Sequence, residues 1–210
     1  MSYFSGIVTL IMAIAIVGCQ PNSNDVNNLS NANSIVENQS EQKKFLITND
    51  SVGDAEIGMN YGELKEVLGD EYTTEVIPSL MVDINAIAIS KQGEVLYYLL
   101  FPVGVEFDDL TPIQVIMTDN PRYGTKEGVS VGSSIKDAET AYGGATFSYN
   151  TNNESREYVE FANSPSNKIR FRSNSEKNGF AGIYGDDIEE YNQTNTYQDD
   201  AKISLIEVYP

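Results

Sequence analysis

Two segments of the chain, 57–69 and 131–143, agree position by position in physical role, and any fold must accommodate both. In the first, Asn60 is a helix N-cap type and Glu63 follows three residues later. Tyr61, Leu64, Val67 and Leu68 fall on one helical face, and Gly69 stands where a short helix closes. In the second, Ser134 and Asp137 take the capping positions, Ile135, Ala138, Ala141 and Tyr142 form the face, and Gly143 closes. An acid at that position meets the free amides and the positive helix end. A glycine admits the left-handed backbone that ends a helix. Each segment therefore predicts an amphipathic helix of about two turns.

The same spacing relates 82–89 to 156–163 and 95–101 to 169–175, all strand-like in their β-branched and aromatic content. Lys91-Gln92-Gly93-Glu94 and Asn163-Ser164-Pro165-Ser166-Asn167 supply turns between them. A further strand at 113–118 finds its counterpart at 203–208 only after a polar insertion, 185–200. The expected fold class is α+β: two tandem repeats of a short helix followed by three or four antiparallel strands, with the helices packed on one face of the sheet.

Ahead of the repeats, residues 6–18 read GIVTLIMAIAIVG and stop at Cys19. That run is shorter than the roughly 20 residues of a membrane span and suits the apolar region of a secretory signal. Ile16-Val17-Gly18-Cys19 resembles the lipobox of bacterial lipoproteins, although no Lys or Arg precedes the apolar run. The resemblance implies cleavage before Cys19, acylation of its thiol, and attachment to a bilayer on its non-cytoplasmic side. Residues 20–42 are rich in Asn and Ser with no apolar periodicity, as in a flexible tether. Gln20 resembles the sorting preference for the outer membrane, facing the periplasm. The domain plan is a signal peptide at 1–18, a tether at 19–44, a first repeat at 45–120 and a second at 121–210.

The pattern Ile57-Gly58-Met59, Glu63-Leu64 and Val67-Leu68-Gly69 resembles the helical signature of the SmpA/OmlA (BamE-like) outer-membrane lipoproteins. It is also similar to the tandem repeats of the β-lactamase inhibitory protein fold. Both resemblances imply a helix-plus-sheet unit that binds other proteins, here an envelope protein.

Composition narrows the chemistry. The formal net charge of −18 repels phosphate backbones, so no nucleic-acid partner is expected. With one cysteine no intramolecular disulfide can form, and with no histidine the commonest general base and metal ligand are both missing. Gly128-Val129-Ser130-Val131-Gly132 fits the G-x-S-x-G pattern of a hydrolase elbow, but its serine lacks a histidine partner. A histidine-free hydrolase would need carboxylates or a Ser–Lys pair using Lys126 or Lys136. Acidic runs at Asp186-Asp187-Ile188-Glu189-Glu190 and Asp199-Asp200 lack the spacing of a calcium loop. They read as solvated charge, with a calcium-stabilised envelope protein as the alternative. No catalytic residue, metal site or cofactor is assigned.

The chain's four arginines are Arg122, Arg156, Arg170 and Arg172. Strand alternation sets Arg156 and Tyr158 opposite Val159 and Phe161, and Arg170 and Arg172 opposite Ile169 and Phe171. The matching face of the first repeat carries Leu96, Tyr98 and Leu100. Arg and Tyr anchor protein interfaces more often than most residues. The expected binding residues are therefore Arg156, Tyr158, Arg170, Arg172 and Tyr98, on a non-catalytic module anchored through Cys19.

Overall fold

The computed structural model describes residues 44–176 and 179–210. The apolar run, Cys19 and the tether before Lys44 lie outside these. Among the described residues no helix is long and apolar enough to cross a membrane.

The architecture corrects the expected α+β class: the chain is mostly β, built from one large and one small sheet with only two short helices. The small sheet has four strands of two residues each, β1 (Leu46–Ile47), β2 (Ser51–Val52), β3 (Ala55–Glu56) and β8 (Gly124–Thr125), in the order β3-β2-β1-β8. The large sheet has nine, in the order β12-β9-β10-β11-β13-β7-β6-β5-β4. They are β4 (Tyr72–Met81), β5 (Ile84–Lys91), β6 (Glu94–Pro102), β7 (Val115–Thr118), β9 (Ala145–Asn150), β10 (Glu157–Phe161), β11 (Ile169–Asn174), β12 (Tyr191–Thr194) and β13 (Lys202–Val208). Every pairing in it is antiparallel.

The physical reason for the correction is one of area. Helices α1 (Tyr61–Leu68) and α2 (Ile135–Tyr142) have 8 residues each, so each is about 12 Å long. Nine strands about 4.8 Å apart make a sheet several times wider than one such helix is long. The rest of the buried face is covered by the small sheet, through Ile47, Val52 and Ala55, and by loop residues such as Ile113, Tyr123, Val129 and Ala181. Runs of two residues carry no detectable period, which is why the small sheet escaped the sequence.

The helices themselves lie where their caps predict. The Asp137 amide donates to Ser134 Oγ at 3.1 Å, and the Asn60 amide donates to Glu63 Oε2 at 3.0 Å. Gly69 and Gly143 close them at φ 68° and 81°, with extended rather than left-handed helical ψ. Their buried faces are narrower than expected: Leu64 and Ala138 are fully buried, whereas Val67 and Ala141 are exposed.

One sheet face packs into the main core through Ile87, Tyr97, Leu99, Ile116, Ile206, Phe171, Val159 and Phe147. The opposite face carries a smaller cluster of Ala86, Leu100 and Met117, flanked by half-buried Leu80, Met81, Tyr98, Val115 and Leu205. Leu96 departs from the expected alternation. A bulge between Ile89 and Ser90 turns it into the main core beside Tyr97, so it does not share a face with Tyr98.

At the outer edge, β4 is bulged between Ile77 and Met81. There Ser79 has φ 52°, and its amide donates to Asn85 Oδ1 at 2.9 Å. The β4–β5 turn then reaches the loop before β10: the Val82 amide donates to Glu154 Oε1 at 3.2 Å, and Asp83 lies 3.5 Å from Arg156.

Candidate functional site

Strand register assembles the open face in rows. Tyr98 on β6 opposes Met117 on β7, Met117 opposes Glu207 on β13, and Glu207 opposes Arg170 on β11. In the neighbouring row Ser148, Tyr158, Arg172 and Leu205 run across β9, β10, β11 and β13. Tyr98, Tyr158, Arg170 and Arg172 thus occupy one surface, because each strand alternates an inward apolar residue with an outward polar or aromatic one.

The two arginines lie against aromatic rings. The Arg170 guanidinium is 4.4 Å from the Tyr209 ring and 5.9 Å from the Tyr158 ring, and Arg172 is 5.9 Å from the Tyr158 ring. Among the described residues neither has a carboxylate oxygen within 4.0 Å. A guanidinium over a ring face gains from the ring quadrupole and keeps its outer N–H groups available. Burial raises the Tyr158 phenol, and the Glu207 charge beside it adds to that; the arginines pull the other way. Burial also raises the Tyr98 phenol, reinforced by Asp119.

Arg156 differs from the other two. Its Nε donates to Glu154 Oε2 at 2.8 Å, Asp83 stands on its other side, and its side chain is 13% exposed. It serves as a latch between the β4–β5 turn and the loop before β10, with little surface left for a partner.

A groove of about 590 Å³ opens beside Tyr158 and Arg170, lined also by Ser148, Glu160, Asn167 and Tyr191. Tyr191 comes from β12, a strand inside the stretch expected to be a polar insertion. The pairing of β12 with β9, from Tyr191 with Asn150 to Thr194 with Phe147, brings it to this edge. Sequence reasoning missed Tyr191 because its neighbours are polar and acidic, and it also missed Tyr209 and Glu207. Glu207 is 1% exposed and accepts a 2.7 Å hydrogen bond from the Tyr209 hydroxyl.

A second carboxylate went unread. Glu157, at the start of β10, is 4% exposed and faces the main core. It accepts hydrogen bonds from Ser173 Oγ at 2.9 Å, the Ala181 amide at 2.7 Å, the Gly182 amide at 2.8 Å and the Tyr184 hydroxyl at 2.8 Å. Four donors on two oxygens stabilise the buried charge and pin the loop that leads to β12.

The remaining candidates are dispersed. Ser130 Oγ contacts the Val131 carbonyl and Ser133 Oγ, each at 3.4 Å, while Lys126 pairs with Glu127 and Lys136 with Asp199. The acids of 186–190 are all exposed. Among the described residues no three His, Cys, Asp or Glu side chains gather as a metal-sized group.

No protein-family model matches the chain, and no curated protein matches it. A solved structure is similar. It is the crystal structure of the uncharacterized protein yfeY from Escherichia coli, with a TM-score of 0.49 and 15% identity, covering 79% of this chain and 99% of that one.

Proposed function

We propose that the chain is a non-catalytic binding module of the cell envelope, held by an acylated Cys19 on the non-cytoplasmic side of a membrane. It grips a protein partner on the open face of the large sheet. One observation carries this reading: in a chain of net charge −18, Arg170 and Arg172 sit together without a carboxylate partner among the described residues. Beside them lie Tyr158, Tyr209 and the apolar group of Tyr98, Val115 and Leu205. Uncompensated guanidinium next to aromatic and aliphatic surface is the composition of interface anchors, and a net acidic chain gains no solubility from keeping it.

The test compares capture of envelope proteins by the anchored chain and by the Arg170→Ala/Arg172→Ala variant. Recovery of the partner should fall at least ~10-fold, the effect of losing one anchor contact, with the melting temperature unchanged. Equal recovery by both would remove the open face from the proposal. Anchoring is tested separately by mass spectrometry of the mature N-terminus, which should begin at an acylated Cys19.

A further inference from the structure

The groove beside Arg170 holds two opposite charges that do not meet. Strands β10 and β11 pair Val159 with Phe171, and Glu160 and Arg170 are the next residues along that pairing. Both are exposed, and both line the groove. Cross-strand neighbours stand close enough for an ion pair, yet the guanidinium lies 4.4 Å from the Tyr209 ring instead. Among the described residues Glu160 has no cationic nitrogen within 4.0 Å. An exposed pair of this kind is worth at most about 1 kcal/mol, and the ring contact offsets its loss. The result is an anion and a cation at one opening, each open to a ligand.

The other side chains of the site are within reach of solvent too. Tyr191 is 55% exposed, Tyr158 is half-buried, and Asn163 and Asn167 are exposed. The rings offer apolar faces, and the amides can donate to or accept from a peptide group. The volume of about 590 Å³ is that of a small-molecule site rather than a space for a water or an ion.

Charge selects among small molecules. The net charge of −18 sets up a field that repels a simple anion, and the Arg170 head repels a simple cation at the site itself. A dipolar ligand meets neither objection. Its carboxylate takes the guanidinium in a forked pair, and its ammonium takes Glu160. A space of about 150 Å³ already holds one six-membered ring, so a single amino acid underfills this groove. A peptide of two or three residues, about 7–10 Å long when extended, carries the same two charges farther apart.

We propose that the groove binds a short zwitterionic peptide, with its terminal carboxylate on Arg170 and its terminal ammonium on Glu160. The proposal rests on the reading of this face as a binding face, and it assigns the ligand of one part of it.

The full chain is titrated with alanyl-phenylalanine, its N-acetyl form, its C-terminal amide and free phenylalanine. Binding is read by NMR from the ring protons of Tyr158 and Tyr191. The unblocked dipeptide should bind, and either block should weaken it at least ~10-fold, the loss of one charge-assisted hydrogen bond. Glu160→Gln should abolish the difference made by acetylation and keep that made by amidation; Arg170→Ala should do the opposite. Both residues are exposed, so the melting temperature should stay level. No binding of the dipeptide overturns the proposal, and so does equal binding of either blocked form. Free phenylalanine binding as tightly as the dipeptide overturns the assigned length. If the dipeptide fails while protein capture still needs Arg170 and Arg172, the groove is refuted and the protein-binding face stands. If it binds while capture is indifferent to them, the protein partner is refuted and the groove stands.

Discussion

The Arg170 guanidinium rests 4.4 Å from the ring of Tyr209, whose hydroxyl donates to the buried carboxylate of Glu207 at 2.7 Å. Glu207 is also the register partner of Arg170. One tyrosine therefore joins an exposed cation to a buried anion, using its face for the first and its hydroxyl for the second. Tyr209→Phe keeps the face and removes the donor. Chemical denaturation should show a loss of ~1–3 kcal/mol, the cost of leaving a buried polar group short of a partner. An unchanged denaturation curve would mean that water reaches Glu207.

Glu157 holds more of the structure than its position in the sequence suggests. Glu157→Ala leaves Ser173 Oγ, two loop amides and the Tyr184 hydroxyl without their acceptor. The loss should be on the order of 3 kcal/mol, and the loop at 179–184 should become the first site of limited proteolysis. Glu157→Gln should fall short of full rescue, because its NH₂ group would face donors. Cleavage elsewhere, with 179–184 still protected, would contradict this role.

The tyrosines set the alkaline limit of the fold. Burial is the first cause that raises Tyr97, Tyr123, Tyr142, Tyr184 and Tyr209 above the ordinary value of 10. Tyr197 is raised to about 12, first by burial and then by the hydrogen bond its hydroxyl donates to Glu139. The folded state thus favours the neutral phenol. Its contribution to stability is complete below about pH 10, where unfolded tyrosine ionises, and is lost as pH rises toward and beyond the folded values. Phenolate absorbance should rise in step with the loss of near-ultraviolet circular dichroism. Ionisation of most tyrosines near pH 10 with the dichroism intact would refute the linkage.

Arg156 is expected to act on local rather than global order. Arg156→Ala removes the contacts to Glu154 and Asp83 that position the β4–β5 turn. Hydrogen exchange at the Val82 amide, which donates to Glu154, should accelerate while exchange in β6 and β11 stays the same. Unaltered exchange at Val82 would show that the turn holds its place without the arginine.

What the sequence revealed follows from which signals have a period. Cap residues and the three-to-four spacing of Tyr61, Leu64 and Leu68 located α1, and the same pattern located α2. Alternation in 156–163 and 169–175 put Tyr158, Arg170 and Arg172 on one side. Lost to the sequence were elements whose reason is elsewhere in the chain. The two-residue strands of the small sheet exist because β1 pairs with β8 across many residues. β12 exists because β9 offers an edge. Leu96 changed face through one bulge, which no alternation rule anticipates. The fold class is not legible from the helix signals because caps and periodicity say nothing of how wide a sheet two eight-residue helices can cover.

The kink in β4 has an outcome beyond its own strand. A ten-residue border strand with a single charge would ordinarily invite another chain to add itself in register. Here Pro78 withholds a donor, Ser79 turns its amide inward to Asn85, and the ladder is broken for several residues. Growth of the sheet is hindered along the second half of that border, so a partner arriving there is met by side chains rather than by a continuous row of free backbone donors and acceptors.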